Sequence, residues 1–259
     1  MPTLTINGRK ASIPQGRTLL EAVRAVGEDL PTLCSLDGLP PYGACRLCLV
    51  ELVEKDSSSQ DSQVVAACTH PAEDGQTVTT NGSRAMTVRK MMLEFMLARC
   101  PESEVIQSMA AEVGLESTRF PSNGHENELC VLCGLCYRVC KDLVGAAAIG
   151  ILNRGPDREV GTPFKLHSES CIGCRACAAV CPTGAIHIED VNGQRVLHTW
   201  NTMVPLEVCP ECGGYYGPEP MSFLKEHVPL SAEYWGQCPS CRRQSAAAQL
   251  DIVRESTMH

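Results

Sequence analysis

Aromatic residues make up only 4% of the 259-residue chain, with 2 Trp, 4 Phe and 5 Tyr. A single large core built on ring packing is therefore a poor fit, and several small domains held by bound metal fit better. No apolar run reaches the length of a membrane span. Met1 leads into a polar, strand-like segment without the charged and apolar regions of a signal peptide, so the expectation is a soluble, cytoplasmic protein. Basic charge is also in short supply: Lys and Arg number 22 against 30 Asp and Glu, giving a net charge of -8 and a pI near 5.4, which argues against nucleic acid. There is no G-x-G-x-x-G after a strand and no G-x4-G-K-[ST], hence no visible dinucleotide or phosphate loop. The His residues, His125 and His227 among them, form no pair at metal or catalytic spacing, and no site for a substrate is expected. What the chain has in abundance is cysteine: 17 residues, clustered in tight spacings. In a reducing compartment such spacings read as metal ligands before disulfides, and an odd count agrees.

Residues 3–13 alternate apolar and polar around Asn7-Gly8, a hairpin signal. Thr18-Leu19-Leu20-Glu21 is a capping box opening a helix to about Val26, with Leu19, Leu20, Val23 and Val26 on its apolar face. A hairpin followed by a helix is how a β-grasp domain begins. A Cys-bearing loop spans Cys34 to Cys48, and Leu49–Val53 reads as a strand. After a polar loop from Glu54 to Gln63, Val64–Ala67 and Thr77–Thr79 close the domain around Cys68. From Ser83 to Ala98, Met86, Met91, Met92, Phe95 and Met96 suit an amphipathic, core-facing linker helix. A short helix follows over 103–113, then a linker at Pro121–Gly124. Past about Asp190 one further strand-like segment precedes a last Cys-rich region.

The cysteines fall into three constellations. Cys34, Cys45, Cys48 and Cys68 sit at spacings x10, x2 and x19. Four thiolates complete the tetrahedral shells of both irons of a [2Fe–2S] cluster, and Gly43 in the loop lets backbone N–H groups approach the sulfurs. Zinc is the competing reading at this site. The second constellation is the strongest signal: Cys130-x2-Cys133-x2-Cys136-x3-Cys140, then Cys171-x2-Cys174-x2-Cys177-x3-Cys181-Pro182. This is the bacterial two-cluster run, in which the fourth Cys of each run ligates the other cluster. One [4Fe–4S] cluster is therefore assigned Cys130, Cys133, Cys136 and Cys181, and the other Cys171, Cys174, Cys177 and Cys140. Lys141 stands where the first run would usually carry Pro. Gly145–Gly150 is Gly-rich and reads as tight packing after a cluster run. The third constellation pairs Cys209-Pro-Glu-Cys212 with Cys238-Pro-Ser-Cys241, an all-sulfur site that suits zinc, a further Fe–S cluster or a single iron. Cys100 is left over and reads as a buried or free thiol.

The fold class is α+β in four regions: a β-grasp [2Fe–2S] ferredoxin domain over 1–82, a helical linker over 83–125, a two-cluster bacterial-ferredoxin-like domain over 126–192, and a small C-terminal four-cysteine metal region over 193–259. In this combination residues 1–190 resemble the N-terminal part of the large iron–sulfur subunit of respiratory complex I. They equally resemble the electron-transfer subunits of NAD(P)-linked hydrogenases and formate dehydrogenases. That resemblance implies three kinds of partner: a flavoprotein with FMN and NAD(P), a small thioredoxin-like [2Fe–2S] subunit, and a catalytic unit such as a nickel–iron hydrogenase or a formate dehydrogenase. Some complexes of this kind bifurcate electrons between NAD and ferredoxin. Two departures stand out. The family usually has a His-plus-three-Cys [4Fe–4S] site between the β-grasp and two-cluster regions; only Cys100 is present there, with His125 too far off, so that cluster is expected to be lost. The sequence also ends soon after its last Cys pair, so the expectation is a connector without a catalytic domain.

Overall fold

The structure is a computed structural model describing residues 1–55, 57, 62–122, 124, 127–217 and 236–256, with 249–256 as backbone alone. His125 and His227 lie outside the described residues. The N-terminal hairpin forms as expected, β1 (Thr3–Ile6) pairing antiparallel with β2 (Arg9–Ser12). Its turn needs left-handed backbone at two consecutive positions, and Asn7 (φ 47°) and Gly8 (φ 81°) supply it. Helix α1 (Leu19–Ala25) opens on the expected capping box: Glu21 donates its N–H to the Thr18 hydroxyl and accepts from the Thr18 N–H at 2.7 Å.

Strands β3 (Leu49–Val53), β4 (Gln63–Ala66) and β5 (Thr77–Thr79) complete a five-stranded sheet in the order β2-β1-β5-β3-β4. Only β1 and β5 run parallel; the other pairs are antiparallel. The parallel pair demands a crossover, and the intervening chain carries α1 and the first Cys-bearing loop. Leu4, Ile6, Leu19, Val23, Val50 and Val78 fill the core beneath the sheet. Each is at most 1% exposed, so each contributes about 1.5–3 kcal/mol of burial.

Helix α2 (Ser83–Arg99) has the expected extent but not the expected face. Among its Met and Phe positions only Met96 is buried, and Met91 and Phe95 are exposed. The inward stripe is Ala85, Arg89, Leu93 and Met96. The rotation follows from Arg89, whose guanidinium donates to the carbonyls of Leu49 (2.6 Å) and Thr80 (3.1 Å) and so must face the sheet. Phe95 instead stacks on Phe120, with centroids 4.4 Å apart. Ser103 caps α3 (Glu104–Glu112), whose Ile106 and Ala110 are buried.

Further on, a short helix α4 (Leu135–Arg138), strands β6 (Gly150–Leu152) and β7 (Glu159–Gly161) and a short helix α5 (Ala176–Ala179) frame the two long Cys runs. Where one strand-like segment is expected past Asp190, the structure has a three-stranded antiparallel sheet of β8 (Ile188–Val191), β9 (Gln194–Leu197) and β10 (Thr202–Pro205). The boundary drawn at 192 falls in the β8–β9 turn, where Asn192 (φ 50°) and Gly193 (φ 75°) repeat the N-terminal hairpin chemistry. Two short strands, β11 (Glu207–Val208) and β12 (Tyr215–Tyr216), and helix α6 (Pro239–Ser256) follow. The four stretches distinguished in the sequence are distributed over two compact units. Unit 1 comprises 1–138, 153–159 and 180–185; unit 2 comprises 139–152, 160–179 and 186 onward. Among the described residues no helix is long and apolar enough to cross a membrane.

Candidate metal centres

Cys34, Cys45, Cys48 and Cys68 converge in unit 1 and are all buried, none more than 4% exposed. The Cys34 and Cys45 sulfurs lie 3.4 Å apart. Backbone amides surround them: Leu33 N–H donates to the Cys45 sulfur at 3.4 Å and Cys45 N–H to the Cys34 sulfur at 3.5 Å. The loop can aim its amides inward because Gly43 (φ 70°) and Arg46 (φ 56°) both adopt left-handed backbone. A side chain at Gly43 would also press on Thr69 Cγ2 at 3.1 Å. Hydrogen bonds from the Cys45 and Cys68 thiols push the Cys34 thiol down to about 2, and a bond from Cys68 pushes Cys48 down to about 7. Cys45 and Cys68, as the donors, are pushed upward. Four buried sulfurs, two of them stabilised as thiolates by the thiols of the other two, are a donor set that suits a thiophilic polycation.

The first long run is in unit 1 through its third cysteine, and so is the fourth cysteine of the second run. Cys130, Cys133, Cys136 and Cys181 thus share one unit. The Cys181 charge acts on both Cys130 and Cys133, and burial raises both thiols, Cys133 to about 11. Ala185 N–H donates to the Cys181 sulfur at 3.3 Å. Unit 2 holds the complement: Cys140, Cys171, Cys174 and Cys177 line one cavity of about 360 Å³, counting the space open at its mouth. Its walls include Ala148, Ile149, Leu197 and Trp200. Ala148 N–H donates to the Cys140 sulfur at 3.4 Å. Burial raises Cys177 to about 11, and the Trp200 indole opposes that rise.

The two runs share one backbone device. Left-handed φ occurs at Leu132 (54°) and Gly134 (78°) in the first, and at Gly173 (66°) and Arg175 (65°) in the second. In each case the positions are the residue before and the residue after the second Cys. The N–H groups of Leu132, Leu135 and Gly173 are thereby turned onto the sulfurs of Cys130, Cys133 and Cys171. Amide donors aimed at sulfur, with apolar walls, are what iron–sulfur ligation uses to set a potential, so the residues present fit [4Fe–4S] groups.

Cys209, Cys212, Cys238 and Cys241 bring their four sulfurs within 4.8 Å of one another. Cys212 and Cys238 sulfurs are 3.8 Å apart. Backbone donors, Cys238 N–H foremost, hold the Cys209 thiol down at about 6, and the Cys241 N–H lowers Cys238 likewise. Cys241 is pushed up to about 12 by its Cys238 neighbour. The leftover Cys100 is fully buried and raised to about 12 by that burial, so at neutral pH it is a neutral thiol and a poor nucleophile.

Sequence spacing did not point to four further residues. Arg89 feels the Cys48 charge, Arg99 donates to the Cys130 carbonyl at 2.9 Å, Arg138 donates to the Cys34 carbonyl at 3.2 Å, and Trp200 lines the unit 2 cavity. Only Arg138, two places past Cys136 of the first run, carried any local signal. His187 and His198 do meet, as stacked rings 4.6 Å apart.

Comparison with known proteins matches residues 1–83 to a 2Fe-2S iron-sulfur cluster binding domain and residues 129–185 to a 4Fe-4S dicluster domain. An NADH-quinone oxidoreductase subunit from Rhizobium meliloti is 30% identical over 82% of this chain and 27% of its own length. The HndD subunit of NADP-reducing hydrogenase from Solidesulfovibrio fructosivorans is 28% identical over 72% of this chain and 36% of its own. The 78 kDa subunit of mitochondrial NADH-ubiquinone oxidoreductase from Neurospora crassa is 30% identical over 71% and 27%. The chain thus spans about a quarter to a third of the length of these relatives. A crystal structure of an NAD+-reducing [NiFe]-hydrogenase matches 62% of this chain and 74% of that one, with a TM-score of 0.53 and 27% identity.

Proposed function

From the premise that the chain belongs to the iron–sulfur subunits of NADH- and NADPH-linked oxidoreductases and hydrogenases, we propose that it carries single electrons between a flavoprotein and a separate catalytic enzyme. The observation that supports this most directly is the sorting of the two long runs: each compact unit holds three cysteines of one run and the fourth of the other, and in unit 2 those four line one cavity. In this reading a [2Fe–2S] cluster is held by Cys34, Cys45, Cys48 and Cys68 in a β-grasp module. A first [4Fe–4S] cluster is held by Cys130, Cys133, Cys136 and Cys181, and a second by Cys171, Cys174, Cys177 and Cys140. Bound there, the clusters supply one-electron redox chemistry without proton transfer.

The protein's own groups do the rest. The thiolates fix the sites, the inward amides favour the more negative state, and the apolar walls keep water away and the dielectric low. In unit 1 the first two sites are neighbours: Cys34, Cys45 and Cys133 belong to one buried apolar cluster with Leu33, Leu47 and Leu135. Short separation through packed protein makes this pair the natural entry segment of the wire.

The geometry of the fourth site favours a single tetrahedral ion over a further cluster, and we assign that ion as structural zinc, a single iron being the other ion that takes four thiolates. With Zn–S bonds of about 2.3 Å a tetrahedron has edges of about 3.8 Å, and the Cys212 to Cys238 distance is 3.8 Å. A four-iron cube would need its ligand sulfurs farther apart than the 4.8 Å within which all four lie.

The partners inferred are a flavoprotein with FMN and NAD(P), a thioredoxin-like [2Fe–2S] subunit, and a catalytic subunit. The likeness to an NAD+-reducing [NiFe]-hydrogenase favours a nickel–iron hydrogenase over a formate dehydrogenase for that last role. Anaerobic purification with iron, sulfide and zinc analysis tests the reading. About ten irons and one zinc per chain is the expected result. A colourless, sulfide-free protein carrying only zinc would overturn it in favour of a metal-stapled interaction module.

A further inference from the structure

Arg138 is the last residue of α4, two places beyond Cys136, and only 6% of it is exposed. Its guanidinium does not stay with its own ligand run. One Nη donates to the carbonyl of Cys34 at 3.2 Å and the other to the carbonyl of Pro40, 104 and 98 residues earlier in the chain. The same guanidinium lies over the Tyr42 ring, 4.9 Å from its centroid. Tyr42 is held from two further directions, edge-on by Tyr137 (6.3 Å) and at its hydroxyl by an Nη of Arg158 (3.2 Å). Gly134 leaves room for this interlock, since a side chain there would meet Tyr137 at 2.8 Å and Tyr42 at 3.1 Å. All of these residues belong to unit 1.

Among the described residues no carboxylate pairs with Arg138. A buried guanidinium satisfied only by neutral carbonyls is costly unless negative charge lies nearby. With clusters bound, that negative charge would come from two cysteinate sets: the one that includes Cys34, whose carbonyl the guanidinium holds, and the one that includes Cys136, on its own helical turn. Each reduction adds a further negative charge at one of these sites, and a fixed positive charge beside it favours that reduction.

We propose that Arg138 is the positioning residue that couples the [2Fe–2S] site to the first [4Fe–4S] site. It fixes the spacing of the two ligand loops, completes a bonded and hydrogen-bonded path from Cys136 to Cys34, and holds the potentials of both sites up together. This rests on the electron-carrier reading above, and the test separates the two.

The full chain, purified anaerobically as wild type, Arg138→Gln and Arg138→Lys, is assayed for iron and sulfide and then titrated with EPR detection. Wild type without iron and sulfide refutes the underlying reading. In loaded protein, Arg138→Gln should lower the midpoints of both unit 1 clusters by a tenfold change in reduced-to-oxidised ratio, about 59 mV for a one-electron couple. Arg138→Lys, which keeps the charge, should return both towards wild type. A loaded Arg138→Gln protein in which neither midpoint moves, or only one does, overturns the proposal. Should Arg138→Gln fail to take up iron, Arg138→Lys alone decides. One ammonium cannot span two carbonyls, so the spin–spin splitting between the two reduced centres must change, and an unaltered splitting overturns the coupling role.

Discussion

Gly134 and Gly8 form a matched pair that isolates packing from backbone strain. Both sit at nearly the same left-handed φ, 78° and 81°, and both are in unit 1. A methyl at Gly8 would meet nothing within 4 Å, whereas at Gly134 it would stand 2.8 Å from Tyr137 and 3.1 Å from Tyr42. Gly8→Ala therefore incurs only the left-handed penalty, about 1–2 kcal/mol. Gly134→Ala adds the displacement of two interlocked rings, about 1–3 kcal/mol of overpacking. For a chain of this size that extra term is roughly 2–12 °C in Tm. The assay is anaerobic thermal bleaching of the iron–sulfur absorbance of the purified chain, with iron counted beforehand. The larger loss should fall on Gly134→Ala, together with a deficit of up to about four irons, since Gly134 lies between Cys133 and Cys136, two of the ligands proposed for the first [4Fe–4S] cluster. Equal shifts for the two variants, with equal iron, would refute the claim that the Tyr42, Tyr137 and Gly134 contact holds the ligand loops together.

Exchange of the fourth ligands is tested by Cys181→Ala and Cys140→Ala: the first should abolish the [4Fe–4S] signal that is spin-coupled to the [2Fe–2S] centre and the second the other one, and the reverse pattern would sink the crossed assignment. Trp200 is buried and its indole N–H has no hydrogen-bond partner of normal geometry among the described residues, facing instead the Cys177 sulfur. Trp200→Phe should leave the iron content intact and lower the second [4Fe–4S] midpoint by roughly 40 mV, the equivalent of about 1 kcal/mol for one lost donor, with no shift counting against that contact. Asp190 accepts two hydrogen bonds from the buried Arg195, at 2.8 and 2.9 Å, and Arg195 in turn donates to the Gly173 carbonyl at 2.6 Å inside a ligand loop. Arg195 holds the Asp190 carboxyl below the usual carboxylate range, so its stabilisation is fully present above the unfolded value of about 4 and is lost as pH falls through the lower folded value. Asp190→Asn should cost about 1–2 kcal/mol at pH 7, read as a lowered Tm, and that gap should close below about pH 4; a gap that persists in acid would show that charge is not its source.

Much of the local structure was legible because its causes are local. The Asn7-Gly8 turn, the Thr18 capping box and the extents of β3, α2 and α3 follow from hydrogen bonds and side-chain periods within a few residues. Helix α2 marks the limit of that reasoning. Its Met positions suggest one face, but Arg89 must reach two carbonyls of the sheet, and that distant demand sets the rotation. The sheet of β8, β9 and β10 was missed for a related reason. Its strands are short and partly charged: β8 is largely exposed, and the inward positions of β9 are Arg195 and Leu197, so no alternation of apolar and polar residue types announces it.

By itself the sequence determined which cysteines are candidate ligands, the spacings that suggest their grouping into sets, and the local turns that carry them. Thiolate chemistry and short spacings suffice for that, because a C-x2-C-x2-C segment can wrap a cluster whatever surrounds it. Only the tertiary structure decided which side chains stand behind the ligands. Arg138 meets the carbonyl of a residue 104 positions away, and Trp200 reaches a cavity whose cysteines begin 60 residues earlier, at Cys140. Such contacts depend on how separate segments pack, and packing across long loops leaves no periodic trace in the chain.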